Sequence, residues 1–393
     1  MQRREFLTTT AAAAAGLLLP DAVRAAAGAA GGAEAAGAAN AKERHLLYIA
    51  EPGIRNYVRY GGIGVLLYDI GADYKFVKRI PTWESPEGKD PENVKGIAAS
   101  AKTAKLYVST IKRIGCIDLL TERMVWSKEL EGGCDRMAIS PDGSILYVPS
   151  LEGPHWNVVD GASGDMIAQV LTNSGAHNTI WGADGTKVYL AGLKSPLLNV
   201  ADAKTHKVIK QVGPFGSAIR PFTVNGAQTL TYVNVNELLG FEVGDLQTGQ
   251  KLHRVEVQGF EKGPVDRHGC PSHGVGLTPD ERELWLCDGH NKAIHIFDNT
   301  VMPPKQMSTL QVRDQPGWIT FSIDGKHAYP STGEVFDTKT KKLVKSLEDE
   351  EHRNIGSEKL LELVFNGDKP IRAGDQFGVG MKESGAKESS TRP

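Results

Sequence analysis

Two cysteines and two histidines bracket one short segment, CPSHGVGLTPDERELWLCDGHN at 270–291, with Cys270 and His273 at its start and Cys287 and His290 at its end. Two further histidines, His155 in GPHWN and His177 in GAHNT, stand at similar junctions earlier in the chain. Neutral imidazole is the commonest protein ligand for divalent metals such as Mn, Zn or Cu. His177, His273 and His290, with the carboxylate of Asp135, form the expected metal-binding set. His155 and His290 are the expected acid/base groups. Arg220 and Lys95 add positive charge, and an arginine fork grips a carboxylate through two hydrogen bonds. A metal and an arginine beside a substrate carboxylate stabilise an enolate-like intermediate, while a histidine takes or returns the proton. The chemistry to expect is lyase or hydrolase action on a small or oligomeric anionic, uronate-like ligand. A non-catalytic mouth for a ligand or a protein partner is the alternative, and it draws on the same residues.

These residues are far apart in sequence, so a repeat must bring them together. An aromatic followed by β-branched or apolar residues recurs: Tyr48 in LYIAE, Tyr107 in LYVST, Tyr147 in LYVPS, Tyr189 in VYLAG, Tyr232 in TYVNV, Trp285 in LWLCD and Tyr329 in AYPST. From Tyr107 onward the spacings are 40, 42, 43, 53 and 44 residues. Turns such as SPDG, GADG, TPDE and SIDG precede the aromatics, and short strands ending near Asp follow them. Each unit reads as four short strands joined by hairpins. One such sheet cannot cover its own faces, but seven arranged radially can, which predicts an all-β, seven-bladed β-propeller. The first unit begins at its second strand. Near the other end, KLLELVFNGDKP at 359–370 contains VFNGD, similar to the TFSIDG that opens the seventh unit. The expectation is that this late strand completes the first blade and closes the ring, leaving no free edge.

In a propeller, the loops entering the innermost strands open on one face around the channel. Counting back 12 residues from each anchor aromatic gives Lys95, Asp135, His177, Arg220, His273 and Gly317. His155 and His290 follow second strands and are expected to meet the same face. The 53-residue spacing reflects a long loop, GFEKGPVDRHGCPSHG at 259–274, which carries Asp266 and His268 and is placed to wall the site. Cys270 with Cys287, and Cys116 with Cys134, are expected as disulfides, with a soft metal-ligand role for a cysteine as the rival assignment. No CxxCH is present, so covalent haem is not expected.

The units resemble those of bacterial β-propellers of the YVTN type, with LYVST and TYVNV as close variants, over residues 44–375. That resemblance specifies a fold and leaves function open, because such propellers host binding proteins, scaffolds, lyases and quinoprotein subunits. Some seven-bladed lyases, such as oligogalacturonate and streptogramin B lyases, hold a histidine-bound divalent metal in this channel. The likeness to them lies in architecture and histidine placement.

The chain starts MQRREFLTTTAAAAAGLLLP, and Arg3-Arg4-Glu5-Phe6-Leu7 resembles a twin-arginine export motif followed by a short apolar run. The expected organisation is a signal peptide at 1–27, a flexible linker at 28–42, the propeller at 43–380 and a polar tail at 381–393. The expected location is periplasmic or extracellular. The net charge of −2 gives no global field to recruit nucleic acid, and no segment after the signal is apolar for long enough to span a bilayer.

Overall fold

A computed structural model describes residues 43–382 apart from Pro86. The twin-arginine motif, the linker and the tail beyond residue 382 lie outside the described residues. Seven antiparallel sheets form the blades of a β-propeller. The second blade shows the pattern: Val94–Ser100 innermost, then Lys105–Thr110, Arg113–Asp118 and Met124–Glu129. Helix among the described residues is limited to two three-residue 3-10 turns, Val58–Tyr60 and Ile70–Ala72. None is long and apolar enough to cross a membrane.

The recurring aromatics lie on the second strands, and all are buried. Burial requires each tyrosine hydroxyl to find a partner. Several find it in the next blade: Tyr107 donates to Gly161 O at 3.0 Å, Tyr147 pairs with His206 Nδ1 at 2.7 Å and Tyr329 meets the Tyr74 hydroxyl at 3.0 Å. The repeat residue thus fills the space between blades and also ties them together. The aspartates that end the third strands cap the following turns, as where Asp118 Oδ1 accepts from Thr121 N at 2.8 Å.

The ring closes as expected. Leu360–Asn366 pairs antiparallel with Arg44–Glu51 and supplies the innermost strand of the first blade. Its apolar residues Leu361, Leu363 and Phe365 enter the same core cluster as Leu46 and Tyr48. The chain then goes further than the sequence suggests. Lys369–Ala373 adds a fifth strand inside this blade, and residues 374–380 cross the channel. Gln376 accepts from Ile97 N at 3.3 Å and donates to Met137 O at 3.0 Å. Gly378 O accepts from Thr223 Oγ1 and from Leu277 N. Phe377 packs edge-on against Trp318 at 5.8 Å. Gly378 has φ +57° and passes so close to Gly276 that a Cβ on it would lie 2.9 Å from the Gly276 Cα. The Gly378 contacts lie at the far ends of the innermost strands and those of Gln376 and Phe377 nearer the entries, so the segment plugs the channel beneath the mouth.

The disulfide expectation is corrected here. Cys116, Cys134, Cys270 and Cys287 are all free and buried. Cys270 Sγ donates to Ser272 O at 3.0 Å, and Cys287 sits in the core cluster with Trp285 and Ile319. Burial raises all four thiols, Cys270 to about 12, as suits protonated packing groups.

Candidate functional site

A β-bulge inserts an unpaired residue that bends its strand and re-aims a side chain. In four blades the pairing register slips where the innermost strand begins: between Val94 and Gly96, Ala176 and Asn178, Ile219 and Phe222, and Ser272 and Val275. The skipped residues include Lys95, His177, Arg220 and His273. All four line one cavity of about 140 Å³ at the channel mouth. Asp135 lies beneath it and is fully buried.

The strand pairing explains why the count of 12 works and where it stopped short. In the second blade the anchor Tyr107 faces Ala98, three residues after Lys95. The same offset holds for Tyr189 opposite Ile180 and His177, and for Trp285 opposite Gly276 and His273. In the first blade Tyr48 faces Leu361, so the matching position is Glu358. Aligning VFNGD with TFSIDG sets this strand's register three residues away, because the closing strand runs longer before turning into the extra strand. Glu358, Lys359 and Arg136 are site residues that sequence reasoning did not select, and it placed His268 only in the walling insertion.

The site has two linked halves. In one, His177 Nδ1 meets Asp135 Oδ2 at 2.6 Å, and Lys95 Nζ lies 3.6 Å from the same oxygen. Burial alone would raise the Asp135 carboxyl, but His177 and Lys95 hold it at about 2. Burial lowers His177, so its imidazole is neutral and donates from Nδ1, leaving Nε2 with a free lone pair. In the other half Glu358 is the hub. Its Oε2 accepts from Lys359 Nζ at 2.9 Å and from Arg136, and its Oε1 faces His268 Nε2 at 3.2 Å. His268 stacks on His273 at 4.2 Å, and His273 Nδ1 bonds Gly317 O at 2.7 Å. The Arg136 guanidinium lies 3.7 Å over the Trp318 ring, which in turn rests on the plug residue Phe377. Burial would raise Glu358, yet Lys359, His268 and Arg136 hold it well below the ordinary carboxylate range.

The insertion at 259–274 does wall the mouth. Arg267 pairs with Asp314 of the seventh blade, Arg55 Nη2 donates to Arg267 O at 2.7 Å and Arg220 Nη2 donates to Gly269 O at 3.3 Å. Two expected members do not join the site. His155 opens the third strand of its blade and is buried away from the cavity lining. His290 is exposed on the outer side of the insertion, with Nδ1 3.2 Å from Pro264 O. Both follow second strands, where the chain turns outward to the third strand and carries its side chains away from the channel.

Burial lowers His268 from its ordinary 6.5 to about 4. Between these values the unfolded chain binds a proton that the folded chain does not, so acid favours unfolding. The stability contribution is full above pH 6.5 and is lost as pH falls toward 4. His268→Gln is expected to flatten the pH dependence of urea unfolding in that window, by at most about 3 kcal/mol. An unchanged slope would contradict the buried, neutral histidine.

No family model and no curated protein matches this chain. A solved structure of Kuenenia stuttgartiensis hydrazine synthase is similar at 12% identity and a TM-score of 0.42, covering 66% of this chain and 98% of that one. Likeness at that level says nothing about chemistry. The class of the molecule, a seven-bladed β-propeller with a cation-lined mouth, follows from its own strands and cavity.

Proposed function

We propose that this propeller binds a small organic anion in its channel mouth and transfers a proton on it, in lyase-type chemistry. One observation carries this reading. Six cationic side chains line the cavity, Arg55, Lys95, Arg136, Arg220, Arg267 and Lys359, against Glu152, Glu358 and the underlying Asp135. Among the described residues Arg220 bonds only Asn236 Oδ1 and the Gly269 carbonyl, and Arg55 only the Arg267 carbonyl. Their charge is uncompensated by any carboxylate among the described residues, as suits a carboxylate-bearing ligand. His177, oriented by Asp135, is the group to move the proton through its free Nε2. His155 and His290 leave this role, while Arg220 and Lys95 keep theirs as anion clamps. Export to the periplasm or beyond by the twin-arginine route belongs to the same proposal.

A second reading, a resident divalent metal, rests on a different ligand set from the expected one. Donor atoms of His268, His273 and Glu358 all lie within 4.8 Å of one another. The Gly317 carbonyl on His273 Nδ1 orients that ring, as carbonyls behind metal-bound imidazoles do. Against it, Glu358 already serves two cations. Elemental analysis of purified protein, with His273→Ala as comparison, separates the two readings.

Calorimetric titration at low salt with galacturonate, pyruvate and inorganic phosphate tests the anion site. Binding of at least one probe is expected, weakened about tenfold or more by Arg220→Ala, since a hydrogen bond to a charged group contributes about 1.5–3 kcal/mol. Binding of none of these probes would overturn the proposal.

A further inference from the structure

One nucleophile in the cavity has no part in that proton transfer. Lys359 is buried and lines the mouth, directly before the closing strand Leu360–Asn366. Its Nζ donates to Gly53 O at 2.7 Å and to Glu358 Oε2 at 2.9 Å. Glu358 shares that oxygen with Arg136, and Lys95 stands in the same lining. An amine desolvated beside other cations is the arrangement that turns lysine into a carbonyl nucleophile. The uncompensated Arg220 lines the same cavity.

We propose that Lys359 forms an imine with the carbonyl carbon of a small 2-oxo acid whose carboxylate is gripped by Arg220; this rests on the anion-binding reading above. The ammonium first gives a proton to solvent water. The freed nitrogen lone pair forms the C–N bond, and the carbonyl π pair moves to oxygen. That oxygen takes a proton from the added nitrogen, giving a carbinolamine. A proton from solvent goes to the hydroxyl as the C–O bond breaks and water leaves. In sum, an ammonium and a ketone become an iminium and one water, with charge conserved.

The test incubates the full chain with pyruvate and sodium cyanoborohydride, which reduces an imine to a stable secondary amine. Peptide mapping by mass spectrometry then locates the adduct. A single adduct on Lys359 is expected, suppressed by excess galacturonate. Lys359→Arg is expected to lower the yield at least about tenfold. Mapping on the wild-type chain decides the matter even if that variant does not fold. Adducts spread over exposed lysines, or none on Lys359, would overturn the imine. Calorimetry with pyruvate separates the two ideas: binding without an adduct removes the imine and keeps the anion site, and no binding of any probe removes both.

Discussion

Glu358→Ala is expected to destabilise the folded chain by about 3–5 kcal/mol, the usual effect of removing one partner from a buried ionic cluster. Arg136 and Lys359, both nearly inaccessible, would share a water-poor space with no carboxylate between them. His268 would lose its partner at 3.2 Å as well. The effect should be visible as a lowered urea midpoint with an unchanged slope. The double variant Glu358→Ala/Lys359→Met removes one of the orphaned charges and should recover part of the loss, because each buried charge contributes separately to the strain. A Glu358→Ala chain as stable as wild type would mean that the cluster is hydrated and only loosely coupled to the fold.

Ending the chain after Lys359 is expected to abolish a soluble, cooperatively folding monomer. The truncation removes Leu360–Asn366, and with it the burial of Leu361, Leu363 and Phe365 against the first blade. At about 1.5–3 kcal/mol per buried large apolar side chain, those three alone approach the whole stability of an ordinary domain, about 5–15 kcal/mol. The strand Arg44–Glu51 would also lose its inner partner and expose an open edge. Ending the chain after Asn366 instead keeps the closure and removes the plug, so this variant should fold with reduced stability. Soluble yield and thermal melts of the two truncations check the ranking. Equal behaviour would show that closure does not depend on the late strand.

The ring and the near ends of its innermost strands were legible because they repeat. A buried aromatic on each second strand and a turn ahead of it recur where each blade meets the next, and the strand pairing turns that period into a fixed count. Lys95, Asp135, His177, Arg220 and His273 were found that way. His155 and His290 were misplaced because proximity to a turn was taken for orientation toward the channel. Glu358 was missed because its strand is out of sequence order and longer than its counterparts. Arg136 adjoins the counted Asp135 and Lys359 adjoins the missed Glu358, but their burial depends on Trp318, the plug and Glu358, none of which is a local property. His268 sits in an insertion without a repeat equivalent, and only the folded path shows that it reaches His273. The plug was invisible for the same reason: a single copy of a segment has no period.

The closing strand gives the molecule an order of assembly in time. The partners His45 and Glu362 are 317 residues apart, so during synthesis the first strand waits for almost the entire propeller to emerge before it is paired. The two residues at the hub of the cation cluster, Glu358 and Lys359, arrive with that same late segment. A nascent chain therefore has no binding mouth until its ring is shut, and a ligand that occupies the mouth should act afterwards as a latch, slowing the reopening of the seam between the earliest and latest strands.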